Sequence, residues 1–226
     1  SYTVNAIQYG AFKDNNKITS VKIPSTVTQI GNSYGSGAFE NCANLKSVSI
    51  AAGAETAYIG NATFKDCTSL EEITVPGNYT TIYSDAFRGC RSLKKFVYND
   101  NGISRKIQNR AFYECTSLVS LSLPTSLNSI GDEAFSGCSS LTAVDIPEGV
   151  KLIEYGVFNN CKLLKKVVIP STIQRIGNSY NTGAFQNCTS LSTVTIKEGT
   201  QAATIGSNTF SGCSAITSIV IPGNYS

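Results

Sequence analysis

The sequence predicts a repeat solenoid built on a parallel β-sheet, and three observations predict it. Phe recurs at Phe12, Phe39, Phe64, Phe87, Phe112, Phe135, Phe158, Phe185 and Phe210, at spacings of 27, 25, 23, 25, 23, 23, 27 and 25 residues. All eight Cys of the 226-residue chain (Cys42, Cys67, Cys90, Cys115, Cys138, Cys161, Cys188 and Cys213) stand three residues after one of these Phe, with Asn15 in the same place after Phe12. After each pair comes an apolar alternation with the period of a strand that buries one face. Self-similarity at 20 to 50 residues marks an array in which each unit stacks on its neighbours.

Along one unit, the A-F-x-x-C segment is long enough for a single helical turn. Small or acidic residues precede it, as in Asp85-Ala86-Phe87 and Asp132-Glu133-Ala134-Phe135, and these suit a helical N-terminus. The L-x-x-V-x-I stretch follows as the main strand, for example Leu141, Val144 and Ile146. Repeated strands stack about 4.8 Å apart into a parallel sheet. A second apolar pair, such as Val150/Ile153 or Ile173/Ile176, carries the chain round the far side.

Proline marks the exit from the main strand. Pro24, Pro76, Pro124, Pro147, Pro170 and Pro222 each follow its last residue, and where the next Ile is visible it lies seven residues on from that residue. Ala51, Asn99 and Lys197 take the place of Pro where that distance is nine. Pro fixes φ and offers no N–H, so it suits the tight exit. The Asn99-Asp100-Asn101-Gly102 exit uses turn chemistry instead. Over all this lies a longer period: residues 7–80 and 153–226 align without a gap at an offset of 146, with 34 identities in 74 positions.

The unit C-x-x-L-x-x-V-x-I-P-x-x-V-x-x-I-x-x-x-A-F resembles the BspA-like leucine-rich repeats of bacterial surface and secreted proteins, over essentially the whole chain. The resemblance implies a right-handed leucine-rich-repeat superhelix with the V-x-I strands on the concave face. It also implies an extracellular location, at the cell surface or secreted, and adhesion to host matrix proteins or other cells. Asn15 for Cys, Thr63, Val157 and Thr209 for Ala, and Phe96/Tyr98 in the strand of the fourth repeat depart from the pattern. The family has no shared catalytic residues to carry over.

The array is read as one domain over residues 1–226, nine repeats with partial repeats at both ends. With no Met and ends that cut through repeats, it reads as a window on a longer protein. The absence of His removes every imidazole base or ligand. Carboxylate pairs such as Glu71/Glu72 and Asp132/Glu133 are sequence neighbours that point apart, so no catalytic constellation is expected and none is assigned. Net charge is +3 with charged residues at 15% and scattered, which gives no basic stripe for nucleic acid. No apolar run approaches 18 residues, so membrane insertion of this segment is not expected.

The eight Cys are expected as buried free thiols stacked slot over slot. The nearest two are 23 residues apart, which does not give the paired spacing of a zinc site. Parallel Cβ vectors would oppose disulfides between layers. Asp100-Asn101-Gly102 lacks the flanking oxygen ligands of a calcium loop. No cofactor and no metal are expected.

The candidate ligand-binding residues are Lys22, Glu72, Lys95, Asp145 and Lys166, on outward positions of the main strand. Tyr34 and Tyr180, in four-residue insertions, join them. Tyr58, Tyr79 and Tyr225 are placed on exit turns. The function expected is a non-enzymatic interaction module that binds a protein or glycan at a host or neighbouring cell surface. A passive spacer array and the targeting domain of a larger secreted enzyme stand as alternatives.

Overall fold

The computed structural model describes residues 3–177 and 182–225. In chain order its strands are β1 (Ala6–Ile7), β2 (Ser20–Ile23), β3 (Gln29–Ile30), β4 (Ser47–Ile50), β5 (Ala57–Ile59), β6 (Glu72–Val75), β7 (Tyr79–Ile82), β8 (Lys95–Tyr98), β9 (Arg105–Ile107), β10 (Ser120–Ser122), β11 (Leu127–Ile130), β12 (Ala143–Asp145), β13 (Leu152–Ile153), β14 (Lys166–Ile169), β15 (Arg175–Ile176), β16 (Thr193–Ile196) and β17 (Thr204–Ile205). All pairings are parallel. The odd-numbered strands form one nine-stranded sheet in sequence order, and the V-x-I strands form the opposite face. The chain is therefore a parallel β-solenoid of leucine-rich-repeat type, as its sequence predicts.

Within the V-x-I strands the alternation is literal. In β6, Ile73 and Val75 are buried while Glu72 and Thr74 are exposed. Between the two faces lie the Leu of each repeat and the Phe column. Successive Phe rings from Phe12 to Phe210 stack with centroids 5.0 to 5.5 Å apart. From Phe39 to Phe185 each ring is the largest single apolar contribution to its layer, about 1.5–3 kcal/mol on full burial, and it is offset-stacked on two like rings. In layer four the wider Phe96 enters edge-on, 4.5 Å from the Phe112 centroid.

The segment expected as a helical turn is different. Among the described residues there is no helix. The A-F-x-x-C stretch is a run of tight turns, closed for instance by Cys42 N–H to Phe39 O (3.1 Å), and the residue just before the Cys slot has positive φ in every repeat. These residues are Asp14, Asn41, Asp66, Gly89, Glu114, Gly137, Asn160, Asn187 and Gly212. Asp, Asn and Gly tolerate the left-handed region that stops a helix, so the F-x-[DNG]-C pattern carried the signal. The turns also make a third inter-repeat ladder: Phe39 N–H donates to Thr63 O and Asn41 N–H to Lys65 O, both at 2.8 Å.

The proline rule has a hydrogen-bond explanation. Ala51, Asn99 and Lys197 N–H donate to Ile23, Val75 and Ile169 O at 2.9, 3.0 and 3.0 Å. Each long exit thus adds one rung to the ladder before the chain turns away. Pro in the same slot has no N–H, so the short exits turn away one rung earlier. Two departures from Ala are explained as well. Thr63 Oγ1 donates to Ile30 O (3.0 Å) and Gly60 O (2.8 Å), and Thr209 makes the same pair with Ile176 O and Gly206 O. Each Thr ties its repeat to the insertion-bearing repeat before it.

The V-x-I face is not one sheet. It splits into β10-β8-β6-β4-β2 and β12-β14-β16, with a seam between β10 and β12. Across this seam the nine-stranded sheet continues and Phe112 stacks on Phe135 at 5.1 Å. The ninth V-x-I segment (Ile216, Ile219 and Ile221), which alternates like the others in sequence, forms no strand, and Val220 and Ile221 are exposed.

Candidate interaction surface

The Cys slot is interior. Every Cys is a buried free thiol. Each Sγ lies 3.0 to 3.3 Å from the carbonyl oxygen of the Phe one repeat earlier, from Cys42 on Phe12 to Cys213 on Phe185. The thiols donate along one column while burial pushes the pKa of Cys67, Cys90, Cys115, Cys138 and Cys161 far up. A thiol held protonated in this way is neither a nucleophile nor a metal ligand. Among the described residues no cluster of His, Cys, Asp and Glu could hold a metal ion.

The outward residues of the V-x-I strands lie in two rows set by the register. One row runs Ser20, Ser47, Glu72, Lys95, Ser120, and on the far side of the seam Ala143, Lys166, Thr193. The other runs through Lys22 and Ser49, and resumes beyond the seam at Asp145 and Val168. Glu72 and Lys95 are therefore direct cross-strand neighbours. Lys22 and Asp145 share the second row, and Lys166 shares the first with Lys95 but across the seam. All five are exposed. Beside the first row, Lys94 Nζ pairs with Glu71 at 3.0 Å. A shallow cleft of about 290 Å³ is lined by Lys46, Ser47, Glu71, Glu72, Lys94 and Lys95.

The tyrosines are elsewhere. Tyr34 is 74% exposed in the turn after β3 and interacts with Tyr58, whose ring meets Tyr83 edge-on at 5.4 Å. Burial first, then Tyr83 and Tyr34, raise the Tyr58 pKa. Tyr180 lies outside the described residues. Tyr79 is not on a surface turn: it opens β7, is fully buried, and its hydroxyl donates to Val27 O at 3.2 Å. Burial pushes its pKa up to about 12. The chain thus offers two separate outward features, the charged rows on one face and an aromatic group beside the other sheet.

Sequence reading missed Arg105. It is fully buried, stacked 5.5 Å from the Tyr98 centroid, and holds the Asp100 loop through Asp100 Oδ1 at 3.1 Å together with Ile103 O, Gly77 O, Ser126 Oγ and Asn101 Oδ1. The Asp100 carboxylate also accepts from Thr125 Oγ1 (2.6 Å), Ser126 N–H and Gly102 N–H. The loop's oxygens are spent on closing the long exit. The only sequence signal was an Arg at an inward-facing strand position.

A family model described as a BspA type leucine rich repeat region (6 copies) matches residues 1–105 and 105–226. A comparison with curated proteins gives no match. Among solved structures, the chain is similar to a leucine-rich repeat protein from Bacteroides ovatus (27% identity, covering 98% of this chain and 71% of that one, TM-score 0.65). It is also similar to the leucine rich repeat protein of T. pallidum (25% identity, 88% and 78%, TM-score 0.66). A leucine-rich repeat protein from Eubacterium ventriosum shares the fold at 22% identity (92% and 56%, TM-score 0.66).

Proposed function

The chain belongs to the BspA-type leucine-rich repeat family, and on that premise we propose that it is a non-enzymatic interaction module of a bacterial cell-surface or secreted protein, binding a protein or glycan partner in the manner of an adhesin. The observation that supports the reading most is the division of labour within each repeat. The inward positions repeat nearly unchanged, as Phe, Cys, Leu and β-branched residues. The outward row differs from strand to strand: Ser47, Glu72, Lys95, Ser120, Ala143, Lys166 and Thr193 in succession. A constant scaffold with a varied exposed face is how solenoids present binding surfaces.

The test is surface plasmon resonance of the chain over immobilised matrix proteins (fibronectin, fibrinogen, collagen) and a glycan array. It is repeated with Lys95→Glu/Asp145→Lys/Lys166→Glu and with Tyr34→Ser. Binding that weakens at least tenfold in either variant supports the module. An absence of binding to every surface, or binding that neither variant changes, sinks the reading and leaves a spacer array as the better account.

A further inference from the structure

The seam between β10 and β12 is a cleft of about 340 Å³ lined by Leu121, Ser122, Leu123, Ala143, Val144 and Asp145. That volume lies at the low end of ligand pockets, roughly 300–1,000 Å³. Two sheet edges face each other across it. In the neighbouring layers, Ser120 N–H donates to Lys94 O (3.1 Å) and Thr193 N–H to Lys165 O (3.0 Å). The equivalent bond, Ala143 N–H to Val119 O, is not made, and β10 and β12 belong to different sheets. Unpaired strand edges are templates for another strand.

The side chains at the seam fit the same reading. In the adjacent layers the inward strand residues Phe96, Tyr98, Val144, Ile146, Val167 and Ile169 are all buried. Leu121 and Leu123 are only half-buried, and Val119 beside them is 50% exposed. Partly uncovered apolar side chains therefore line the β10 wall of the gap, Val144 and Ile146 on the β12 wall being buried, and both walls carry unpaired backbone.

Charge sets what can enter. Lys95 lies one strand away on one side and Lys166 one strand away on the other, in the same outward row as Ser120 and Ala143. Among the described residues neither Lys95, Lys165 nor Lys166 has an ion-pair partner. Asp145 lies two residues further along, in the second row.

We propose that the seam takes up an extended anionic peptide as an added parallel strand. Its backbone bonds the edges of β10 and β12. An apolar side chain turns inward between Leu121 and Val144, and an acidic side chain lies outward between Lys95 and Lys166. The position two residues on, beside Asp145, takes a neutral polar or basic side chain. Backbone pairing supplies affinity and the alternate side chains supply selectivity, as in other strand-addition sites. The inference rests on the interaction-module reading and gives it a specific site and partner chemistry.

The test uses amide hydrogen exchange of the whole chain and fluorescence anisotropy with synthetic heptapeptides. One peptide alternates valine with polar residues and carries glutamate at the first polar position. A second carries lysine there, and a third is the first with alternate amides N-methylated. In the free chain, the amides of Leu121, Leu123, Ala143 and Asp145 should exchange at least tenfold faster than those of Lys166 and Val168. The glutamate peptide should protect them, the lysine and N-methylated peptides should bind at least tenfold more weakly, and Lys95→Glu/Lys166→Glu should reverse the preference. Free-state protection equal to that of Lys166 and Val168 overturns the proposal, as does equal binding of all three peptides. If the peptides fail while immobilised proteins or glycans still bind, only this site falls. If no immobilised partner binds while the peptide preference holds, the adhesin reading falls instead.

Discussion

Cys67 Sγ lies 3.1 Å from the carbonyl oxygen of Phe39, one repeat earlier. The same contact links seven other Cys to the Phe before them, so the two residues that dominate the sequence pattern serve each other. Phe fills the layer and turns its carbonyl to the next repeat, which adds the thiol as a second donor beside the backbone N–H that the carbonyl already accepts (Cys42 N–H to Phe39 O at 3.1 Å). What the contact satisfies is the buried thiol itself, and each such bond ties two adjacent layers at a net gain of about 0.5–1.5 kcal/mol or less, S–H being a weak donor.

Thiol reactivity follows from this burial. At pH 8 the native chain should react slowly with a disulfide reagent, and after unfolding all eight Cys should react. Cys213, at 9% exposure against 0% for the others, should be the first to react. Stopped-flow thiol titration with and without denaturant checks this. Rapid native labelling of Cys90 or Cys115 would contradict the ladder.

Gly37 and Gly183 occupy equivalent places in the two copies of the longer period. A Cβ on Gly37 would stand 1.6 Å from Ala62 O, and one on Gly183 would stand 1.8 Å from Asn208 O. These obstacles are backbone and cannot rotate away. Gly37→Ala should therefore cost roughly 3 kcal/mol by overpacking. Gly102, which unlike Gly37 is at positive φ and has nothing within 4 Å, should cost only the left-handed strain of about 1–2 kcal/mol when changed to Ala. Denaturant titration of the two variants should rank them in that order.

Glu114 is the one pre-Cys residue that is not Asp, Asn or Gly, yet its φ is 57°. Its ion pair with Arg91 (3.4 Å) is half-exposed on both sides, a kind worth roughly 0–1 kcal/mol. Glu114→Asn should remove the left-handed strain and stabilise the chain by about 0.5 kcal/mol net, raising the melting midpoint by about 1–2 °C. Calorimetry showing a lowered midpoint would mean that the Arg91 pair outweighs the strain.

Glu40 bridges Lys13 (3.2 Å) and Lys65 (3.0 Å), and at the offset of 146 these three become Asn159, Gln186 and Ser211. Both copies keep a side-chain contact to backbone: Gly37 N–H donates to Glu40 and Gly183 N–H to Gln186. Glu40→Gln alone should destabilise by about 1 kcal/mol, since it leaves two part-buried ammonium groups unpaired. Lys13→Asn/Glu40→Gln/Lys65→Ser, which copies the uncharged solution, should recover most of that loss. A triple variant worse than the single would show that the charges act independently.

The architecture was legible because each slot carries one physical demand that few residue types meet. Phe fills the layer, alternating β-branched residues make a half-buried strand, and Pro ends the short exits. The turn was misread as helical because acidic residues before Ala-Phe, such as Asp85 and Glu133, resemble N-terminal helix residues, whereas here they have positive φ, as do the Asp, Asn and Gly before Cys. Tyr79 was misplaced because its position after Gly77-Asn78 looks like a turn, although its hydroxyl reaches a carbonyl 52 residues away in sequence. The seam was invisible for another reason. Leu121/Leu123 and Val144/Ile146 both satisfy the strand pattern, and only the pairing between layers distinguishes them.

Asp100 makes stability depend on pH. Hydrogen bonds from Ser126, Thr125 and Gly102 hold the Asp100 carboxyl well below the usual carboxylate range. A carboxyl depressed in the folded state adds stability above its unfolded pKa, near 4, and loses it as pH falls from there toward the folded value. The chain should therefore lose stability steeply below about pH 4, and Asp100→Asn should flatten that loss while starting from a lower level at pH 7. Arg105→Met should cost about 3–5 kcal/mol at pH 7, because the exit loop then keeps oriented oxygens with no cation among them. Denaturant midpoints of the three proteins between pH 3 and 7 decide it. If Asp100→Asn parallels the wild type over the whole range, the acid sensitivity originates elsewhere, with Glu40 the next carboxylate to test.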